Sequence, residues 1–184
     1  MNDTFIKFHN TIIDYEKNSV KYISPENYFI VNCGFTSSNS NVPNTPLMAM
    51  YKTEEFVRQM ITESKCNNME NLICGYAGCD RVVFIFSPCL EGNHVFNGDQ
   101  QRISSFFISR CALFFQQSIS CTIVDLNSQS KVLAYTQHII FKTHNAYQQT
   151  GKYIKYDKVA KDFTFIEEIP NMRVQDEYRN FFFR

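Results

Sequence analysis

The pairing whose position most invites chemistry in this 184-residue chain is Asp80 followed directly by Arg81, at the tight end of a hairpin between two apolar segments. A carboxylate at a strand end can serve Mg²⁺, a hard cation that takes oxygen ligands, when a second carboxylate stands at the end of the adjacent strand. That second acid is missing. Between Glu26 and Glu54 there is no Asp or Glu at all, although the apolar strand expected over 28–33 and the Gly34-Phe35 that follow it lie in this stretch. Asp80 therefore reads as a ligand to a single metal at most. The plain alternatives are a turn residue or a partner for Arg81 or another cation.

Other chemistry-bearing residues are more scattered. Arg102, near the start of a helix, could meet a phosphate or simply be solvated. Asn32 and the polar loop 36–41 could hydrogen-bond a base or a phosphate, or serve as an ordinary strand end and loop. Lys152, Lys155, Lys158 and Lys161, interleaved with Tyr153 and Tyr156, form the best local candidate for RNA contact, with a solvated edge as the alternative. His138 and His144 are six apart and do not share a helix face as a metal pair would, and Cys79, Cys89 and His94 make no standard zinc spacing. The seven cysteines contain no C-x-x-C, and most sit in apolar segments, Cys33 included. They read as reduced core thiols of an intracellular, cytoplasmic protein.

The elements that must position these residues follow from pattern. Lys+Arg and Asp+Glu are both 18, so no overall positive field draws the chain to nucleic acid, while 44% hydrophobic residues with 18 Phe and 10 Tyr can fill a sizeable core. The polar N-terminus carries no signal-peptide pattern, and no apolar run is long enough to span a membrane. Heavy use of Phe, Tyr, Ile, Asn and Lys suits an AT-rich genome such as that of a virus or protist. Residues 4–16 suit a short helix, and 28–33 a central strand. Pro46 to about Lys65 has helical periodicity. Leu72 to Ser87 reads as a hairpin with 75–78 in its turn region. Asp99 is an N-cap for a helix to about Gln117, 119–126 is a strand, and about 130–148 is a third helix. Beyond Gly151, 163–166 suits an edge strand, and 170–184 a polar tail ending in Phe181, Phe182 and Phe183. The chain divides into 1–150 and a C-terminal extension 151–184. The β-α-β-β-α-β order predicts an α+β, ferredoxin-like antiparallel sheet with both helices on one face, followed by a further helix.

In that order the residues resemble the tRNA-histidine guanylyltransferase and 3′–5′ polymerase-like family, whose sheet is of the palm type. Gly34-Phe35 falls where the family has its Asp-Gly-Arg-x-Phe turn, and Pro43-Asn44-Thr45 is similar to its Pro-Asn-Asp. The run from Tyr76 to Phe86, with Asp80 and Arg81, resembles Tyr-Gly-Gln-Ser-Asp-Glu-Tyr-Ser-Phe-x-Phe. Phe96-Asn97 with Arg102-Ile103, Ser105 and Ser109 is similar to the basic helix start, and Val132 to Tyr135 resembles the segment before Trp-Arg-Gln-x-Asp. The likeness covers about Phe5 to His144.

The resemblance implies two Mg²⁺ ions held by two acids, of which only Asp80 is present here, and a nucleoside triphosphate neutralised by those ions. Arg81 stands where the family has Glu, the triphosphate-gripping helix start is reduced to Gly98-Asp99 and Arg102, and the Trp-Arg-Gln-x-Asp signature reads His138 to Lys142. The departures fall on the chemistry and spare the scaffold. The expected function is thus a degenerate, non-catalytic palm that binds RNA, tRNA among the candidates, or a protein partner, through Asn32, Gly34, Arg81, Arg102, Lys152 and Lys155. It needs no cofactor on that reading, and the resemblance implies a homo-oligomer. The alternative is an active 3′–5′ nucleotidyltransferase using Mg²⁺, a nucleoside triphosphate and Asp80 plus an acid such as Asp125. A third reading is an RNA-recognition module stacking bases on Phe84 and Phe86, and a fourth a structural subunit docking through its aromatic tail.

Overall fold

The computed structural model describes residues 21–35, 46–64, 69–89, 94–144, 151–167 and 175–184, with backbone alone at 46–47, 139–144 and 175. The expected helix over 4–16, the loop 36–41 and the Pro43-Asn44-Thr45 motif lie outside the described residues.

Six strands form one antiparallel sheet: β1 (Tyr28–Phe35), β2 (Leu72–Ala77), β3 (Arg81–Phe86), β4 (Ile119–Leu126), β5 (Lys152–Asp157) and β6 (Asp162–Glu167). Their order across the sheet is β4-β1-β3-β2-β5-β6. The first four stand in the ferredoxin-like arrangement, and β5 and β6 extend the sheet beyond β2. β1 and β3 are its central strands. Phe29, Ile30, Val31 and Cys33 of β1, and Val82 to Phe86 of β3, are fully buried, as expected of strands covered on both faces.

Strand alternation divides these side chains between two cores. On one face, Phe29, Val31, Cys33, Val82, Phe84 and Phe86 pack under helices α1 (Pro46–Ser64) and α2 (Gln100–Phe115). Phe56, Val57, Met60 and Ile61 come from α1, and Ile103, Phe107 and Cys111 from α2, each set at helical spacing. Asp99 caps α2 as the sequence indicates, its Oδ1 accepting from the backbone N–H groups of Gln101 and Arg102 at 2.9 and 3.1 Å.

The opposite face carries two further helices, α3 (Gln129–His144) and α4 (Gln175–Phe183). Val132 and Leu133 of α3 and Tyr178 and Phe182 of α4 close over Ile30, Cys74, Tyr76, Val83, Ile85 and Tyr153. A base-stacking sheet face is ruled out for Phe84 and Phe86, which are fully buried on the α1 and α2 side, Phe84 beneath Phe56 and Phe107, and Phe86 stacked on Phe29.

Three segments differ from the sequence reading. Gly75, Tyr76 and Ala77 continue β2 rather than turning, because each pairs with β3 on one side and β5 on the other. The 152–157 stretch is a strand, since Tyr153 and Ile154 point to opposite cores and are both fully buried. Residues 175–183 form a helix in place of a docking tail. Asp176 and Glu177 favour its N-terminal turn, and Tyr178 and Phe182, four apart, are buried against the chain's own sheet.

Candidate nucleotide or RNA site

Antiparallel register brings the candidate residues to one corner of the sheet. Gly34 of β1 pairs with Arg81 of β3 and with Ser120 of β4. Two positions back, Asn32 pairs with Val83 and Thr122. Paired residues share a face, so Asn32, Gly34, Arg81, Ser120 and Thr122 all point to the side that carries α3 and α4. A Cβ added to Gly34 would meet the Ser120 Oγ at 3.0 Å, which confirms the common face. The Phe35 N–H donates to the Asp80 carbonyl oxygen at 2.8 Å, tying the end of β1 to the hairpin that presents Asp80.

Asp80 and Arg81 are bound to each other. Arg81 Nε donates to Asp80 Oδ1 at 3.0 Å and Nη2 to Oδ2 at 2.8 Å, a bidentate fork in which both carboxylate oxygens are used. Both side chains are largely buried, at 18% and 24% exposure. The Asp80 hydrogen bonds raise the Arg81 guanidinium above its ordinary value against the opposing effect of burial, and Tyr76 and Tyr135 add to the rise. Asn32 lies diagonally across from Arg81, and its buried Oδ1 has no hydrogen-bond partner among the described residues. An acceptor left so costs about 1–3 kcal/mol.

This donor set does not fit the two-metal centre that the palm resemblance implies. Among the described residues one carboxylate faces the corner, its oxygens are held by a guanidinium, and the facing β1 positions are an amide and a glycine. Cys33 points away, into the helix-covered core, where its thiol contacts Cys111 and Cys121. The contact with Cys111 pushes it well above the ordinary thiol range, and burial adds to that. Asp125 does not supply the missing acid. It pairs with Phe29, five residues from Gly34 and so roughly 17 Å along the strand. Among the described residues no group of three His, Cys, Asp or Glu side chains could hold a metal ion.

The remaining sequence candidates lie elsewhere. Arg102 is exposed and pairs with Asp99 at 3.5 Å. Lys152 and Lys155 point to opposite faces of β5, so they cannot form one basic track. Lys152 Nζ pairs with Glu54 at 2.7 Å and stands over Phe165, while Lys155 Nζ donates to the Phe181 carbonyl oxygen at 2.6 Å and stands over the Phe181 ring. Both lysines join the sheet to its helices. His94 is buried and stacked on Phe29, and His138 is exposed.

Sequence reasoning passed over Ser120 and Thr122, the two exposed hydroxyls beside Asn32 and Gly34. Their signal was the period-2 alternation with Ile119, Cys121 and Ile123, in which the polar set belongs to the face that β1 turns toward Arg81.

No protein-family model matches the sequence, and no curated protein matches it. Solved structures do share its fold. A bacterial tRNA(His) guanylyltransferase-like protein in complex with GTP superposes with a TM-score of 0.67 at 11% identity, covering 97% of this chain and 100% of that one. The same kind of bacterial protein in complex with ATP gives 0.63 at 9% identity over 96% and 99% of the two chains. The tRNA(His) guanylyltransferase of Saccharomyces cerevisiae gives 0.50 at 14% identity over 71% and 65%. The likeness read from the sequence thus holds at the level of the fold: this chain has the architecture of guanylyltransferase-like proteins.

Proposed function

We propose that this chain is a guanylyltransferase-like palm that has given up nucleotide transfer and kept the recognition of RNA. The observation that carries the reading is the closed pair at the hairpin: both oxygens of the remaining acid, Asp80, are taken by Arg81. Two-metal transfer requires carboxylate oxygens free to face the ions from two strands, because the metals bridge and neutralise the phosphate oxygens as the bond forms. A guanidinium at that point supplies positive charge and N–H donors, which suit holding a phosphate, and it displaces the ions that would activate an attacking oxygen. A fold shared with guanylyltransferase-like proteins over nearly the whole chain, around this altered corner, favours a role in binding.

The test is nucleotide addition to a 5′-truncated tRNA with labelled nucleoside triphosphates and Mg²⁺, alongside an Asp80→Ala control and a gel-shift measurement of the same RNA. RNA bound without extension supports the reading. Extension that disappears in Asp80→Ala shows an active transferase and sinks it. Neither extension nor binding removes the RNA and leaves a protein partner as the occupant of the fold.

A further inference from the structure

Three of the seven cysteines converge on the α1 and α2 side of the sheet. Cys33 of β1 stands directly opposite Cys121 of β4 in the antiparallel register, Cys111 of α2 lies in the same core, and the Cys33 thiol touches both. Cys33 and Cys111 are fully buried. Cys121 is half-buried and lines an open cavity of about 350 Å³ with Lys21, Gln100, Gln101, Ser104 and Ile123, so it is the member of the three that solvent reaches.

Directly opposed residues of an antiparallel pair have Cα atoms about 4.5 or 5.5 Å apart, inside the span of roughly 4.4–6.8 Å that a disulfide bridges. Both side chains leave the sheet on the same face and their sulfurs are already in contact, so a bond needs side-chain rotation without unpairing of the strands. The thiols are protonated at neutral pH, because contact with Cys33 and then burial push Cys121 well above the ordinary thiol range. Only the small thiolate fraction attacks an oxidant. The reaction is therefore slow, as suits a site that registers sustained oxidation rather than one that turns over peroxide.

We infer that Cys121 and Cys33 are a reversible oxidation site, closed to a disulfide between β1 and β4 by hydrogen peroxide entering from the cavity. The Cys121 sulfur attacks one peroxide oxygen, the O–O bond breaks, one water leaves, and Cys121 becomes the sulfenic acid. The Cys33 sulfur then attacks the Cys121 sulfur and displaces the hydroxyl, which takes up the Cys33 proton and leaves as a second water. Two thiols have lost two electrons and two protons, and one peroxide has become two waters. A small dithiol arriving by the same cavity reverses the bond by exchange at the Cys121 sulfur, releasing Cys33. This chemistry is independent of what the Asp80–Arg81 corner binds.

Hydrogen peroxide treatment of the folded protein, followed by alkylation of the remaining thiols and mass spectrometry of a chymotryptic digest, tests it. Cleavage at Phe114 and Phe115 separates Cys111 from Cys121. The expected product is a linked pair of peptides carrying Cys33 and Cys121, lost on treatment with dithiothreitol. Cys33→Ala should leave Cys121 as a sulfenic acid that dimedone captures, whereas Cys121→Ser should leave Cys33 and Cys111 as thiols. Circular dichroism checks that each variant is folded. Cys33 is a core residue, so should its variant fail to fold, the unaltered protein and Cys121→Ser carry the test. A bond between Cys33 and Cys111, oxidised Cys121 with Cys33 still a thiol in the unaltered protein, or oxidation confined to other cysteines such as Cys79 and Cys89 overturns the inference.

Discussion

Asp80 and Arg81 are neighbours in sequence that lock each other, and the lock sits one strand pairing away from Gly34 and diagonal to Asn32. The corner becomes carboxylate-rich only if two things change together. Arg81→Ala releases Asp80, and Asn32→Asp adds an acid on the same face. The double variant is expected to bind Mn²⁺, read by loss of the free-ion signal in electron paramagnetic resonance, while the unaltered protein and either single variant leave that signal intact. Tight Mn²⁺ uptake by the unaltered chain would show that its acids are arranged differently from this account.

Glu54 gives a pH-dependent joint between α1 and β5. Burial would raise its carboxyl, but Lys152 and Arg58 outweigh that and hold it below the ordinary value of 4.5. Arg58 donates from Nε and Nη2 to Glu54 Oε1 at 3.2 and 2.9 Å and lies over the Phe163 ring, so the acid links the helix to the outer hairpin. A depressed carboxyl stabilises the fold above its unfolded-chain value and loses that contribution as pH falls through the folded value. Glu54→Gln should therefore cost on the order of 1 kcal/mol at neutral pH. The gap between variant and unaltered protein should close below pH 4.5, measured by urea unfolding across pH. A gap constant with pH would remove the charge from the explanation.

Much of the scaffold was legible because local pattern and tertiary role agree in it. β4 was read with its observed ends, 119–126, and α1 and β3 to within a residue, since each carries either strong periodicity or an unbroken apolar run. β5 was missed because Lys152, Lys155 and Tyr156 disguise a strand whose charged residues are satisfied by Glu54 and a helix carbonyl, contacts that exist only after folding. The end of β2 was missed because Gly75 and Gly78 look like a turn. The site was legible in its residues Asp80, Arg81, Asn32 and Gly34 but not in its breadth. Ser120 and Thr122 reach it through a register 86 and 90 positions distant from Gly34 and Asn32, respectively, and no local signal encodes that pairing.

Gly75 illustrates the same point energetically. A Cβ there would collide with Val57 Cγ1 and lie 3.3 Å from the Phe84 ring, so the glycine allows α1 to approach the sheet. Overfilling a close-packed core costs about 1–3 kcal/mol. Gly75→Ala should lower stability by that amount, and adding Val57→Ala should restore part of it, read by thermal unfolding. Independent, additive losses would argue against the close approach.

The C-terminal helix supplies the strictest check on the two-sided fold. Phe182 is 4% exposed and meets Tyr153 edge-to-face at 5.0 Å, and Tyr178, 1% exposed, packs on the same ring at 5.8 Å. Phe183 reaches Tyr28 at 5.5 Å, so α4 touches both β5 and the start of β1. If that helix is part of the core, Phe182→Ala should destabilise the whole protein by about 3–5 kcal/mol. Hydrogen exchange should then quicken not only in 175–183 but also in β2 and β5, whose buried face the helix covers. Lys155→Met, which keeps the apolar stem but removes the bond to the Phe181 carbonyl oxygen, should have a smaller effect of about 1 kcal/mol. Faster exchange confined to 175–183, with global stability unchanged, would make α4 a separable appendage and would reopen the sheet face beneath it.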